Sequence, residues 1–370
     1  MLVRELQFAG FRNLHPGQWR PCSGVNILYG DNAQGKTNLL EACWLFTGAR
    51  SFRGAKDSEM VQFGCDRAAL KMAFTAAGRE QEAAIVIEQR RQVTLNGVRL
   101  PSATRLAGTL RGVVFSPAHL SLVRDGPEER RRFVDGACCQ LRPGHIGVMT
   151  EYHKVLQQRN AFLKRCRETG GLTATADDML EIWDTTLAVA GARLTAARCR
   201  YIERLQPLVT DIYGGLSGGR EQLTLQWLTA AADEPQTPPP AELARRWQQL
   251  LQKARPADVA AGFSTAGPHR EDLLLLLDGK PARTYGSQGQ QRSAVLALKM
   301  AEATLLQQIT EEPPVAFLDD VMSELDISRQ DYILNHIRDW QVFITCCEPT
   351  AGLRMTAGRV FEIKQGVILE

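Results

Sequence analysis

The residues best suited to chemistry in this 370-residue chain begin with an octet, GDNAQGKT, from Gly30 to Thr37. It matches the pattern G-x-x-x-x-G-K-[ST], whose glycines let the backbone wrap round phosphate oxygens. The cradle predicted here is Gly30, Asp31, Asn32, Ala33, Gln34, Gly35, Lys36, Thr37 and Asn38. Lys36 would reach the β- and γ-phosphate oxygens and Thr37 would ligate Mg²⁺. Such a loop needs an acidic partner at the end of a buried strand, and PVAFLDD supplies it. Asp319 is placed to hold the metal, and Asp320 to orient or deprotonate an attacking water.

A third stretch, GSQGQQRS from Gly286, opens a helical pattern far downstream of the loop. Helix N-termini bind anions, so Ser287, Gly289 and Gln290 are candidate phosphate contacts. The plain alternative is a capped turn, with Ser287 as N-cap and Gln290 as its capping-box partner; the two roles are compatible.

These pieces need strands and helices to hold them. VNILY (25–29) before the octet reads as a strand and TNLLEACWLF after it as a helix. LVRELQF (2–8) alternates as a strand, and VTLNGVRL (93–100) reads as a hairpin about Asn96-Gly97. From about residue 118 helical spacing takes over, in EYHKVLQQRNAFLKRC and IWDTTLAVAGARLTAARCRYIERLQPLV, broken by Gly170-Gly171; they suggest an antiparallel pair. DEPQTPPP (233–240) reads as an irregular loop, and strand patterns return in EDLLLLL, PVAFLDD and QVFITCC. The expected organisation is an α/β lobe split by a helical insertion: residues 1–117, then 118–260, then 261–370.

Composition is ordinary for a globular protein, at 44% hydrophobic and 23% charged. The longest aliphatic run, Leu273 to Leu277, is far too short to span a membrane. The first residues lack the pattern of a secretory signal, which predicts a cytoplasmic protein. Nine cysteines without metal-finger spacing read as reduced thiols. A net charge of +3 argues neither for nor against nucleic acid, so only local clusters bear on it.

The order of phosphate loop, Ser-x-Gly-Gln turn, acidic strand end and SELD (323–326) resembles the ATP-binding-cassette ATPase heads. Gly286 and Gln288 depart from the usual Leu-Ser-Gly-Gly-Gln. By that resemblance the cofactors are ATP and Mg²⁺, and Ser287 caps the γ-phosphate held by a second copy's Lys36, making an ATP-dependent homodimer. FRNL (11–14), ARSFRG (49–54), GPEERRRFVD (126–135), YHKVLQQRNAFLK (152–164), AGPHREDL (266–273) and FLDDVMSELD are similar to the RecF family of bacterial recombination mediators. The resemblance implies an α/β cassette head with a mixed sheet and an inserted helical domain carrying a short antiparallel arm. It further implies slow, DNA-stimulated ATP hydrolysis, binding to duplex and gapped DNA, and work with RecR and RecO in loading RecA. It gives Arg12 a nucleotide role; His269, a lone histidine in the tight stretch Gly267-Pro268-His269-Arg270, reads either as structural or as a nucleotide or interface contact. Ala118 and His119 stand where the family suggests acids, and no switch histidine follows VFITCC.

Support for DNA from the residues is local. Arg130, Arg131, Arg132, Arg142, Lys154, Arg159, Lys164, Arg165 and Arg167 face only Asp135 and Glu151 in residues 130–167; they read equally as a phosphate-binding face or a solvated helix face. Arg50, Arg53 and Lys56 form a second candidate surface. Two rival classes remain: a P-loop enzyme acting on a small molecule, which has no use for the Ser-x-Gly-Gln turn, and a transporter motor, which would want the switch histidine.

Overall fold

The computed structural model describes residues 1–169, 173–232, 237–347 and 358–369. It divides into two compact units. The first gathers Met1–Leu120, Asp211–Glu221 and Gln288–Glu370, and the second Ser121–Thr210 and Gln222–Ser287.

In the first unit, β1 (Leu2–Ala9), β2 (Gly17–Trp19), β4 (Ala68–Ala76), β5 (Arg79–Ile87), β6 (Arg91–Leu95) and β7 (Val98–Leu100) form an antiparallel sheet ordered β2-β1-β4-β5-β6-β7. Its strands alternate buried and outward residues, as β4 does from Ala68 to Ala76. The turn between β6 and β7 is made by Asn96 and Gly97, both at positive φ, as expected of an Asn-Gly hairpin.

The other sheet combines β3 (Val25–Tyr29), β8 (Gly112–Phe115), β12 (Val315–Leu318), β13 (Val342–Cys346), β14 (Gly358–Lys364) and β15 (Val367–Leu369), in the order β15-β14-β3-β13-β12-β8. All neighbours are parallel except the terminal β14–β15 hairpin. Strands β8, β12 and β13 are buried at every residue, the signature of a parallel sheet covered on both faces. Helix α1 (Lys36–Trp44) is buried at Leu39, Leu40, Ala42, Cys43 and Trp44, in one core with side chains of both sheets.

The second unit contains α2 (Ser121–Arg124), α3 (Pro127–Leu141), α4 (His145–Glu168), most of α5 (Ala174–Ser217), α6 (Pro240–Ala261) and α7 (Ala282–Tyr285). Ion pairs Arg159–Asp184 and Arg193–Glu151 run in opposite directions along α4 and α5, so the expected antiparallel pair is present. Helix α6 adds a third member through Leu243, Trp247 and Leu251, one stripe at four-residue spacing. The unit also holds a three-stranded antiparallel sheet, β11-β10-β9, from β9 (Leu223–Leu228), β10 (Asp272–Leu277) and β11 (Lys280–Pro281).

That small sheet corrects the expected boundaries. EDLLLLL pairs with β9 instead of joining the parallel sheet, so residues 261–287 go with the helices and the cuts fall at 120/121 and 287/288. Residues 211–221 return to the first unit, which retains α8 (Gln288–Thr310) and α9 (Ile327–His336). Gly170-Gly171 and residues 233–236 of the expected 233–240 loop lie outside the described residues, and Pro240 already begins α6. No helix among the described residues is long and apolar enough to cross a membrane.

Candidate nucleotide and metal site

The carboxyl ends of β3, β12 and β13 open on one edge of the parallel sheet, where ligands of such sheets bind. The octet leaves β3 there. Gly30 has φ 146°, and a Cβ on it would lie 2.3 Å from the carbonyl oxygen of Ile363. Gly35, at φ 113°, caps α1 in a conformation side chains rarely adopt. The β14–β15 turn braces the loop from behind, the Gly366 amide donating to the Gln34 carbonyl at 2.8 Å. Lys36 is 4% exposed, and its ammonium donates to the carbonyl oxygens of Gly30 and of Asp31, the latter at 2.9 Å. The amine thus lies inside the cradle that a phosphate would enter.

Across the sheet, the Thr37 hydroxyl donates to Asp319 Oδ1 at 2.7 Å, joining residues 282 positions apart. Burial raises the Asp319 carboxyl above its ordinary value, with Asp320 adding to the rise and the hydroxyls of Thr37 and Thr345 opposing it. A hydroxyl and a buried carboxylate in contact suit a hard divalent cation, whose charge would favour the ionised form that burial disfavours. Among the described residues no cluster of three His, Cys, Asp or Glu could hold a metal unaided. A cation held by Thr37, Asp319 and phosphate oxygens fits this donor set, and Mg²⁺ is the metal that usually takes so few protein ligands.

Asp320 follows at φ 53°, a left-handed conformation uncommon outside glycine. Its amide donates to Thr345 Oγ1 at 2.9 Å, and that hydroxyl donates to Asp319 Oδ1 at 3.0 Å. Thr345, in VFITCC, escaped the sequence reading, although a hydroxyl amid aliphatics at a strand end was its signal. Cys347, just beyond, donates its thiol to Asn32 Oδ1 at 3.3 Å.

Two further groups frame the loop. Asn13 donates to the Ala33 carbonyl at 2.9 Å and accepts from Asn38 at 2.7 Å, while Arg53 donates to Asn38 Oδ1 at 2.8 Å. Arg12, expected at the nucleotide, pairs instead with the buried Glu41 carboxylate through Nε and Nη2 and donates from Nη1 to the Glu59 carbonyl. Ser51 also hydrogen-bonds Glu41. Arg12 therefore acts here as a brace behind the loop; neither Asn13 nor Glu41 was singled out from sequence, because their neighbours are far along the chain.

The Ser-x-Gly-Gln stretch does open a helix: Ser287 directly precedes α8, whose first turn carries Gly289 and Gln290. The Gln290 amide donates to Glu221 Oε1 at 2.7 Å, and Arg292 lies 3.6 Å from Glu324 of SELD. Arg292 and Glu324, with Ser116, His119 and Lys299, line a cavity of about 110 Å³ beside β8 and α8.

The basic candidates separate sharply. Arg130 is 6% exposed and forms a two-pronged pair with Asp272, so it is withdrawn from any phosphate-binding face. Arg131 donates to the Glu271 carbonyl, and exposed Arg132 pairs with Glu128 and Glu129. Arg159 is fully buried between Asp184 and Asp258. Arg198, which the sequence reading passed over, ties Asp135 to Glu271 in the same buried layer. His269 engages Tyr152 at 2.6 Å and the Ser264 carbonyl at 3.1 Å, a structural role inside the second unit. Arg50, Arg53 and Lys56 remain exposed in the first unit.

Residues 2–367 match the family described as "RecF/RecN/SMC N terminal domain". The chain is 41% identical to the DNA replication and repair protein RecF of Heliobacterium modesticaldum, covering 99% of this chain and 98% of the relative. It is 36% identical to the same-named protein of Agathobacter rectalis, over 100% and 99%. A solved structure of "the recombination mediator protein RecF-ATP in RecFOR pathway" superposes with a TM-score of 0.92 at 34% identity, over 100% of this chain and 97% of that one. The Smc head of Pyrococcus furiosus, at 14% identity and a TM-score of 0.56, shares the fold. With full-length matches on both counts, the chain belongs to the RecF family of SMC-like, ATP-binding ATPase heads.

Proposed function

We propose that this chain is an ATP-dependent DNA-binding protein of recombinational repair and replication restart, in which ATP binding pairs two copies on DNA and slow, DNA-stimulated hydrolysis releases them. The observation that carries the reading is the Thr37–Asp319 contact beside a buried Lys36, a phosphate and metal site assembled from opposite ends of the chain. The similar structure named for ATP and the RecFOR pathway supports it. On that footing RecR and RecO are the partners, RecA the protein loaded, and gapped or junction DNA the substrate.

Each residue has a task in that cycle. The amides between Gly30 and Thr37, with Asn38 opening the helix, cradle the phosphates, and Lys36 exchanges its carbonyl partners for β- and γ-oxygens. Thr37 and Asp319 hold Mg²⁺, which neutralises phosphate charge when bound. Asp320 orients the attacking water and accepts its proton, held at a set angle by Thr345. Ser287, Gly289 and Gln290 close on the γ-phosphate of a second copy, so ATP itself joins the two. Arg50, Arg53 and Lys56 contact the DNA backbone.

Light scattering of the Asp320→Asn variant, with and without ATP and Mg²⁺, tests the reading. The expected mass rises from one chain to two, and Ser287→Arg in that background blocks the rise while nucleotide stays bound. An unchanged mass with nucleotide demonstrably bound would overturn the pairing.

A further inference from the structure

Phe63 is fully exposed, at 105% of its reference area, whereas Tyr285, the next large apolar side chain among the described residues, reaches 68%. It stands on a tight turn: the Cys65 amide donates to the Gln62 carbonyl at 3.0 Å, and Gly64 takes φ 83°, the arrangement of a type II turn with Phe63 at its second position. The stem is anchored. Val61 bridges Phe11, the Gln62 amide donates to the Gly10 carbonyl at 2.8 Å, and the Arg12 amide donates to the Met60 carbonyl at 2.9 Å. A ring held out in water on a pinned turn is free to gain burial against a partner, and the turn needs no rearrangement to offer it.

The surroundings indicate which partner. Arg50, Arg53, Lys56 and Arg67 are exposed along residues 50–67, against the exposed carboxylates of Glu59 and Asp66, while Asp57 is already closed by Arg91. The turn also belongs to the phosphate loop's own network. Arg12 links the Glu59 carbonyl to Glu41, Ser51 links Glu41 to the Arg53 amide, and Arg53 reaches Asn38, next to Thr37. Cations suit phosphates, but a phenyl ring offers phosphate nothing; it offers a π-face to a base.

We propose that Phe63 is a base-stacking residue, which takes an unpaired nucleobase at a single-strand/duplex junction while the neighbouring cations hold the backbone. The inference deepens the DNA-binding reading and rests on it. The test uses fluorescence anisotropy with ATP and Mg²⁺ on two DNAs of equal length, one fully duplex and one with 2-aminopurine in a gap, comparing the wild-type chain with Phe63→Ala and Phe63→Trp. Loss of one stacked base should weaken gapped-DNA binding about five- to a hundredfold in Phe63→Ala and abolish 2-aminopurine quenching. Duplex binding should hold, and Phe63→Trp should retain both signals. Wild-type gapped binding and quenching in Phe63→Ala would overturn the stacking role alone, as would an equal loss on both DNAs. A smaller ATP-driven mass in light scattering would also overturn it, by assigning the ring to a second copy. If the wild-type chain binds neither DNA, the DNA reading falls and takes this one with it.

Discussion

Thr345→Val isolates one hydroxyl at the centre of the site. Valine preserves the branched shape of a fully buried side chain, so packing is little changed while two hydrogen bonds vanish. One is accepted from the Asp320 amide at 2.9 Å, and the other is donated by the single hydroxyl proton, shared between Asp319 Oδ1 at 3.0 Å and Asp320 Oδ1 at 3.4 Å. A hydrogen bond to a charged group contributes about 1.5–3 kcal/mol, and an amide left unsatisfied costs about 1–3 kcal/mol. Asp320 also stands at φ 53°, a conformation that persists only when its surroundings hold it. Released, the carboxylate shifts from the attacking water, and a displacement of about 1 Å costs on the order of a hundredfold in rate. Steady-state ATP hydrolysis and binding of a fluorescent nucleotide analogue, measured together, should show turnover down ten- to a hundredfold with nucleotide affinity changed far less, since Lys36 and the loop are untouched. Thr345→Ser restores the hydroxyl and should recover most of the rate. Full turnover in Thr345→Val, or equal loss in Thr345→Ser, would refute the hydroxyl's role in setting Asp320.

Lys36→Met removes the cation inside the cradle, and nucleotide-dependent DNA retention should disappear in a filter or anisotropy assay while the fold melts normally; unaltered retention would remove Lys36 from the mechanism. Arg159→Leu leaves the buried carboxylates of Asp184 and Asp258 short of a partner and should cost about 3–5 kcal/mol in a urea melt, against about 0.5 kcal/mol or less for exposed Arg132→Ala; similar losses would contradict the buried-network assignment. Burial, with Arg270 and Arg131 adding, holds His269 down at about 4 from an ordinary 6.5, against the opposing pull of the Ser264 carbonyl. The unfolded chain takes up this proton as pH falls below 6.5 and the folded chain resists until about 4. Stability present at pH 7 is therefore lost on acidification across that window, by about 3 kcal/mol. His269→Gln should flatten that part of the pH–stability curve, and parallel curves for the two proteins would exclude the assignment.

What was legible in the sequence was whatever neighbouring residues decide among themselves. GDNAQGKT needs only its own glycines and the strand and helix at its ends to make a cradle, and Asn96-Gly97 needs only two positive φ angles to reverse the chain. The acidic pair was legible because four apolar residues precede it. Tertiary structure alone decided the rest. The 2.7 Å contact of Thr37 with Asp319 depends on a strand order that sets β13 between β3 and β12, and with it brings Thr345 to both acids. The same distinction reverses the basic run: spacing in sequence cannot tell Arg130 and Arg159, whose carboxylate partners arrive from 142 and 99 residues away, from arginines that face water. EDLLLLL likewise reads as a strand from any window, yet its sheet is chosen by its pairing with β9. Local propensity reaches only a few residues along the chain; burial, pairing and charge neutralisation are set by groups the fold brings together from afar.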